Sequence, residues 1–208
     1  MITTHPALEN LQQIDNTLGT DVEKAQKLYV SSPSDFSKRV LVKTIFTYLE
    51  GHIYAFKQTV LAMEEILKHP MSGLIPRSVK SWVALFSDQE KAMLQEFTYE
   101  MGSGGKACKR NYSPRFEDNI KFLIKTFHAA IELESKIDFQ SEGWDRMKKT
   151  RGIRNRLTHP KTPADLNISD EDIKTAGLAI GWYQATVSSM LDRLEKDSFF
   201  APRFKQPN

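Results

Sequence analysis

Apolar residues recur along most of this chain at three- and four-residue steps, the spacing that gathers them on one face of an α-helix. The longest stripe runs through Val40, Leu41, Ile45, Tyr48, Leu49, Ile53, Phe56, Val60, Leu61 and Leu67. Ser32-Pro33 opens it, proline suiting a first helical turn, and His69-Pro70 closes it. Phe116, Ile120, Leu123, Ile124, Phe127 and Ile131 form a second stripe after Ser113-Pro114. A third helix is predicted from Ser141-Glu142 to about Leu157, where Pro160 and Pro163 prevent continuation. Ser169-Asp170-Glu171-Asp172 opens the last helix with a capping pattern, and its acidic first turn complements the helix dipole. The stripe expected on that helix is Ile173, Leu178, Trp182, Leu191 and Leu194. Four helices, over about 33–68, 114–137, 141–157 and 170–195, therefore predict an all-α bundle.

Two segments flank this core. Residues 1–32 read as an N-terminal helical extension of one or two short amphipathic helices, broken near Gly19. Residues 70–112 read as a helical insertion. In it, Met71-Ser72-Gly73 and Ile75-Pro76 signal loops, Val79–Phe86 a short helix, and Ser87-Asp88-Gln89-Glu90 a capping box opening a helix that ends at Gly102. Gly102-Ser103-Gly104-Gly105 reads as a flexible connection. No convincing run of alternating strands with turn signals is found. The whole, residues 1–208, is expected to be a single helical domain with no internal repeat.

Composition narrows the class. The net charge of +3 is too small for the whole molecule to act as a polycation, so any attraction to nucleic acid has to come from local clustering. With one cysteine, Cys108, the chain can form neither an internal disulfide nor a cysteine zinc site, and a reducing compartment follows. The start, Met1-Ile2-Thr3-Thr4-His5-Pro6, lacks the pattern of a signal peptide, and no segment approaches the ~18 apolar residues of a membrane span. A soluble, cytoplasmic protein without a membrane partner is expected.

The local cluster stands out. Between Arg146 and Lys161 lie Arg146, Lys148, Lys149, Arg151, Arg154, Arg156 and Lys161, with no acidic residue among them. At its end stands Arg154-Asn155-Arg156-Leu157-Thr158-His159-Pro160. Histidine exchanges a proton near neutrality, and arginine stays charged and holds phosphate oxygens through paired hydrogen bonds. Five residues along a continuous helix rotate by about 140°, so Arg154 and His159 would not share a face. Pro160 implies that the helix stops first and that His159 sits in the following turn, from which it folds back towards Arg154. Asn155 is placed to orient the imidazole or to bind phosphate, and Thr158 adds a hydroxyl. The plainer alternative is a basic helix end that interacts with the helix dipole, with His159-Pro160 as a stop signal.

The spacing Arg154-Asn155-x-x-x-His159, at the end of a helix that precedes the last core helix, resembles the Arg-x(4–6)-His signature of the HEPN superfamily. Only Arg154 meets that spacing; Arg151 and Arg156 do not. The resemblance implies a HEPN-like bundle and a homodimer in which two copies of the motif face each other across a cleft. It implies metal-independent RNA cleavage by the substrate's own 2′-hydroxyl, with His159 as general acid or base, Arg154 stabilising the charged phosphorane and Asn155 in support. Arg151, Arg156, Lys148, Lys149 and Thr158 are then expected to hold the RNA backbone. Members of the family act as toxins or in phage defence, which implies an antitoxin or nucleotidyltransferase partner. Others are non-catalytic nucleotide- or protein-binding modules, and this remains the alternative. A polar residue on the first core helix of such proteins faces the motif arginine, a role open to Glu50, for which a solvated helix position is the plain alternative.

Other motifs carry less. Gly102-Ser103-Gly104-Gly105-Lys106 is not a phosphate loop, because position 100 is Glu, position 107 is Ala and no strand precedes it. Lys106, Lys109, Arg110 and Tyr112 read as a surface loop, with an RNA-backbone role open to them. His5, His69 and His128 have no partners at metal-ligand spacing, so no metal and no cofactor are expected. Trp144, Trp182 and Tyr183 read as core or interface residues.

Overall fold

Helical spacing over most of the chain becomes helix in the structure, a computed structural model that describes residues 6–68, 86–112, 114–130 and 137–196. In chain order the elements are α1 (Pro6–Ser31), α2 (Asp35–Lys68), α3 (Asp88–Leu94), β1 (Phe97–Met101), β2 (Ala107–Asn111), α4 (Phe116–Ala130), α5 (Glu142–Thr158), a 3-10 turn (Pro163–Leu166) and α6 (Asp170–Lys196). The protein is mostly helical, as expected. The chain divides into two compact units, residues 1–56 with 136–186 and residues 57–135 with 187–208.

The first unit is cross-tied by polar contacts between helices. From α1, Asp15 Oδ1 accepts from the Tyr48 hydroxyl of α2 at 2.7 Å, and Tyr29 donates to Asp170 at the start of α6. Lys38 of α2 reaches the same Asp170 at 2.7 Å. Asp170 therefore joins three helices, and the Lys38 and Tyr29 donors hold its carboxyl below the usual range. Deeper in, His52 Nδ1 lies 2.9 Å from the Tyr183 hydroxyl, a buried α2–α6 link. At the start of α5, Gly143 sits directly against the Trp182 indole, and Trp144 lies beside it at a ring separation of 5.7 Å. Glycine is required there because a Cβ would occupy the volume of the Trp182 ring.

Three expectations are corrected in this unit. α1 is one unbroken helix through Gly19. Its inward positions Leu11, Ile14, Leu18, Val22, Ala25 and Tyr29 keep helical phase across the glycine, whose cost of about 1 kcal/mol is too small to break a helix held by a continuous stripe. α2 starts at Asp35 rather than at Pro33, because Ser34 is the cap: its hydroxyl accepts from Ser37 N and its carbonyl from Lys38 N. On α6, which passes from the first unit into the second at Val187, the expected stripe is also corrected. Ala176, Ala179, Tyr183, Thr186, Val187 and Met190 are buried, whereas Leu178 and Leu191 are each 40% exposed. The expected residues do not share one helix face: Ile173 and Trp182 are part-buried, Trp182 against Gly143, while the buried positions follow three- and four-residue steps from Ala176 to Met190.

In the second unit the Ser87–Glu90 capping box forms as predicted, with Ser87 N donating to Glu90 and Glu90 N to Ser87. The helix it opens, however, ends at Leu94 and not at Gly102. Glu96 adopts a left-handed φ of 57° and turns the chain into an antiparallel hairpin in which Phe97 pairs with Asn111 and Met101 with Ala107. The two strands were not expected from sequence. Phe97-Thr98-Tyr99 favours extended backbone, and Gly104 and Gly105, with φ of 98° and 73°, supply the turn. On α4, Ile120, Leu123, Ile124 and Phe127 are buried as predicted. His128 is buried with Nδ1 2.8 Å from the Ile124 carbonyl, a packed histidine. The predicted helix over 79–86 falls almost wholly outside the described residues; Phe86 is buried.

Candidate functional site

The site is built on α5 and the adjoining stretch of α2, both in the first unit. Ser141 caps α5, its hydroxyl accepting from Trp144 N, and Met147, Thr150, Ile153 and Leu157 are buried along one side. This burial turns Arg154 and Asn155 towards solvent. The helix ends where Pro160 predicts it will: His159 is its C-cap, its backbone N–H donates to the Asn155 carbonyl at 3.0 Å, and the residue is exposed. The turn beyond is pinned by Asp165, whose Oδ2 accepts from Lys161 N and Thr162 N, each at 2.8 Å. These donors hold the Asp165 carboxyl below its usual range.

Arg154 is held from three directions. Its Nη2 donates to Glu50 Oε1 at 3.2 Å, its Nη1 donates to Asn155 Oδ1 at 3.2 Å, and the guanidinium carbon lies 5.0 Å from the centre of the Phe46 ring. Exposed ion pairs of this kind contribute about 0–1 kcal/mol and a cation–π contact about 0.5–1 kcal/mol. Their effect is chiefly orientational: the guanidinium plane is set, while other N–H groups remain available to an anion. Glu50 thus faces Arg154 rather than solvent alone. Asn155 engages the arginine; its Oδ1 is not directed at an imidazole. The Thr158 hydroxyl donates back to the Arg154 carbonyl at 2.9 Å and retains its capacity as an acceptor. Phe46 was not singled out from sequence. It lies four residues before Glu50, one helical turn away on the same face, and that spacing was the available signal.

The basic cluster looks different in three dimensions. Although Arg146 to Lys161 contains no acid, carboxylates arrive from elsewhere: Glu142 pairs with Arg146, Asp145 with Lys148 at 2.6 Å, Glu50 with Arg154, and Asp172 with Arg156 at 3.3 Å. Arg151 is half-buried, and Lys149 and Lys161 are exposed. The face is a mixed ion-pair surface around one oriented guanidinium rather than a uniform positive field. Among the described residues no group of three or more His, Cys, Asp or Glu is gathered to hold a metal ion, and no helix is long and apolar enough to cross a membrane.

No family model, curated protein or solved structure matches this chain.

Proposed function

We propose that this protein is a metal-independent endoribonuclease of the HEPN kind, acting as a homodimer with two copies of the Arg154–His159 segment sharing one cleft. The observation that carries the reading is the guanidinium of Arg154, set by Glu50, Asn155 and Phe46 five residues before an exposed histidine at the helix end. In the reaction, the ribose 2′-hydroxyl attacks the neighbouring phosphorus and gives its proton to one His159. Arg154 stabilises the added charge on the phosphorane. The P–O5′ bond breaks, and the second protomer's imidazolium protonates the leaving 5′-oxygen, leaving a 2′,3′-cyclic phosphate and a 5′-hydroxyl. Lys148, Lys149, Arg151, Arg156 and Thr158 hold the flanking backbone; Lys148 and Arg156 do so by exchanging their carboxylate partners for phosphate. A role as a toxin or in phage defence, with an antitoxin or nucleotidyltransferase partner, fits this activity.

The test is RNA cleavage in excess EDTA, comparing wild type with His159→Ala and Arg154→Ala. Each variant is expected to lose roughly 100-fold or more in rate. Cleavage that disappears on adding EDTA would refute the metal-free mechanism. Equal rates in all three proteins would refute the site. Absence of cleavage together with tight nucleotide binding would favour the non-catalytic module instead.

A further inference from the structure

The hairpin of the second unit contributes little to any core. All five residues of β2 are exposed, as are the last three of β1, and only Phe97 at its base is buried. Its root, by contrast, is firmly held. Glu96 sits in the left-handed region, which disfavours any residue with a Cβ, and its carbonyl accepts from Tyr112 N at 2.8 Å to close the hairpin. Its carboxylate accepts from the fully buried Lys57 ammonium at 3.0 Å, and Asn119 bonds to both groups. A strained backbone position and a buried ammonium thus secure a projecting element that buries almost nothing itself. Strain of this kind accumulates where an element is held for function.

The chemistry displayed on the projection is specific. Side chains alternate across the pleat, so Phe97, Tyr99 and Met101 share a face with Ala107, Lys109 and Asn111. Tyr99 and Met101 are 63% and 78% exposed, and Tyr99 pairs directly with Lys109 across the strands. The Lys109 ammonium lies 3.8 Å from the centre of the Phe97 ring, which is edge-on to Tyr99. This face carries no carboxylate. Glu100, the one acid of the hairpin, lies on the opposite face with Arg110. Lys106, whose carbonyl accepts from Gly102 N, keeps the parity of Cys108 and Arg110 and so belongs to the opposite face. Edge lysines alone are enough to discourage strand-to-strand aggregation, but they do not account for an exposed tyrosine and methionine on the same face.

We infer that the Tyr99–Lys109 face of the hairpin is a docking platform for single-stranded RNA, with a base stacked on Tyr99 and its phosphate on Lys109. An aromatic ring beside a cation, on a face without a carboxylate, matches a strand that alternates π-faces with phosphates. The choice of RNA rests on the nuclease reading; the platform itself does not need cleavage.

The experiment uses the full chain and a fluorescent 2′-O-methyl oligouridine, which cannot undergo 2′-hydroxyl attack, so binding is read without turnover. By fluorescence anisotropy, Tyr99→Ala is expected to weaken binding about tenfold, while Tyr99→Phe keeps it within about twofold. Lys109→Ala is expected to reduce the slope of log K against log salt by roughly 0.7. Circular dichroism and thermal unfolding check that these surface variants remain folded. Unchanged affinity in Tyr99→Ala and in Lys109→Ala overturns the platform. Loss of self-association instead of RNA affinity, read by sedimentation, overturns it in favour of a protein interface. Platform effects seen without cleavage of native RNA refute only the nuclease reading.

Discussion

Glu50 Oε1 accepts a hydrogen bond from Arg154 Nη2 at 3.2 Å, across 104 residues of sequence. Through this pair a carboxylate in the middle of α2 turns the guanidinium on the last turns of α5. Removing the acid should therefore alter activity more than stability.

Glu50→Gln is expected to lower the RNA cleavage rate by about 10-fold while shifting the unfolding free energy by under about 1 kcal/mol, as for exposed ion pairs. Glu50→Lys, which places a like charge beside Arg154, is expected to lower the rate further. Single-turnover cleavage and urea unfolding of the same preparations check this. A loss of activity matched by a collapse in stability would show that Glu50 is a structural residue.

His52 sets a pH dependence. Burial pushes its pKa below the ordinary 6.5, with Asp15 opposing in part, so the native state favours the neutral ring. The unfolded chain then binds the proton more readily, and this contribution to stability is complete above about 6.5 and is lost as pH falls towards the native-state pKa. Thermal midpoints from pH 7.5 to 5 should decline, and His52→Asn should flatten that decline. The groups facing the ring are Asp15, Tyr48 and Tyr183, the tyrosines titrating far above this window. The depressed carboxyls of Asp145, Asp165 and Asp170 titrate below their ordinary value of 3.8, also outside it.

The root of the hairpin separates strain from charge. Glu96→Ala leaves the buried Lys57 without its carboxylate and keeps a Cβ at a φ of 57°, so a loss of roughly 3 kcal/mol is expected. Glu96→Gly loses the same carboxylate but accepts the backbone, and should be about 1 kcal/mol less damaging. Denaturant unfolding of the two variants checks the difference; identical losses would mean that the left-handed residue stores no strain.

Gly143→Ala should destabilise the protein by about 1–3 kcal/mol, because the added methyl falls on the Trp182 ring and helix α5 or the indole must shift. Thermal unfolding measures the loss, and the near-ultraviolet circular dichroism of Trp144 and Trp182 reports the displacement. Gly152→Ala, with open space at its Cβ, is the control and should be neutral or slightly stabilising.

Local chemistry was legible where it acts within a few residues. The Ser87 and Ser141 caps, the stop at Pro160 and the buried stripe of α4 all depend on partners three or four positions away. The hairpin was missed because five-residue strands leave little alternation to read, and the helix that precedes it looked able to continue to Gly102. The α6 stripe was misassigned because its apolar positions are out of helical phase with one another, and only the steps from Ala176 to Met190 share a face.

The amino-acid sequence was enough to establish a mostly helical chain, the place where α5 ends and an arginine five positions before a histidine there. Packing decided what holds the arginine. It brought Glu50 and Phe46 to Arg154 and Asp172 to Arg156, whereas the pairs made by Glu142 and Asp145 lie within α5 itself. The reason is range: caps, stops and the ion pairs within α5 are made over one turn, whereas Glu50 and Phe46 lie about a hundred residues from Arg154 and meet it only when the helices fold together.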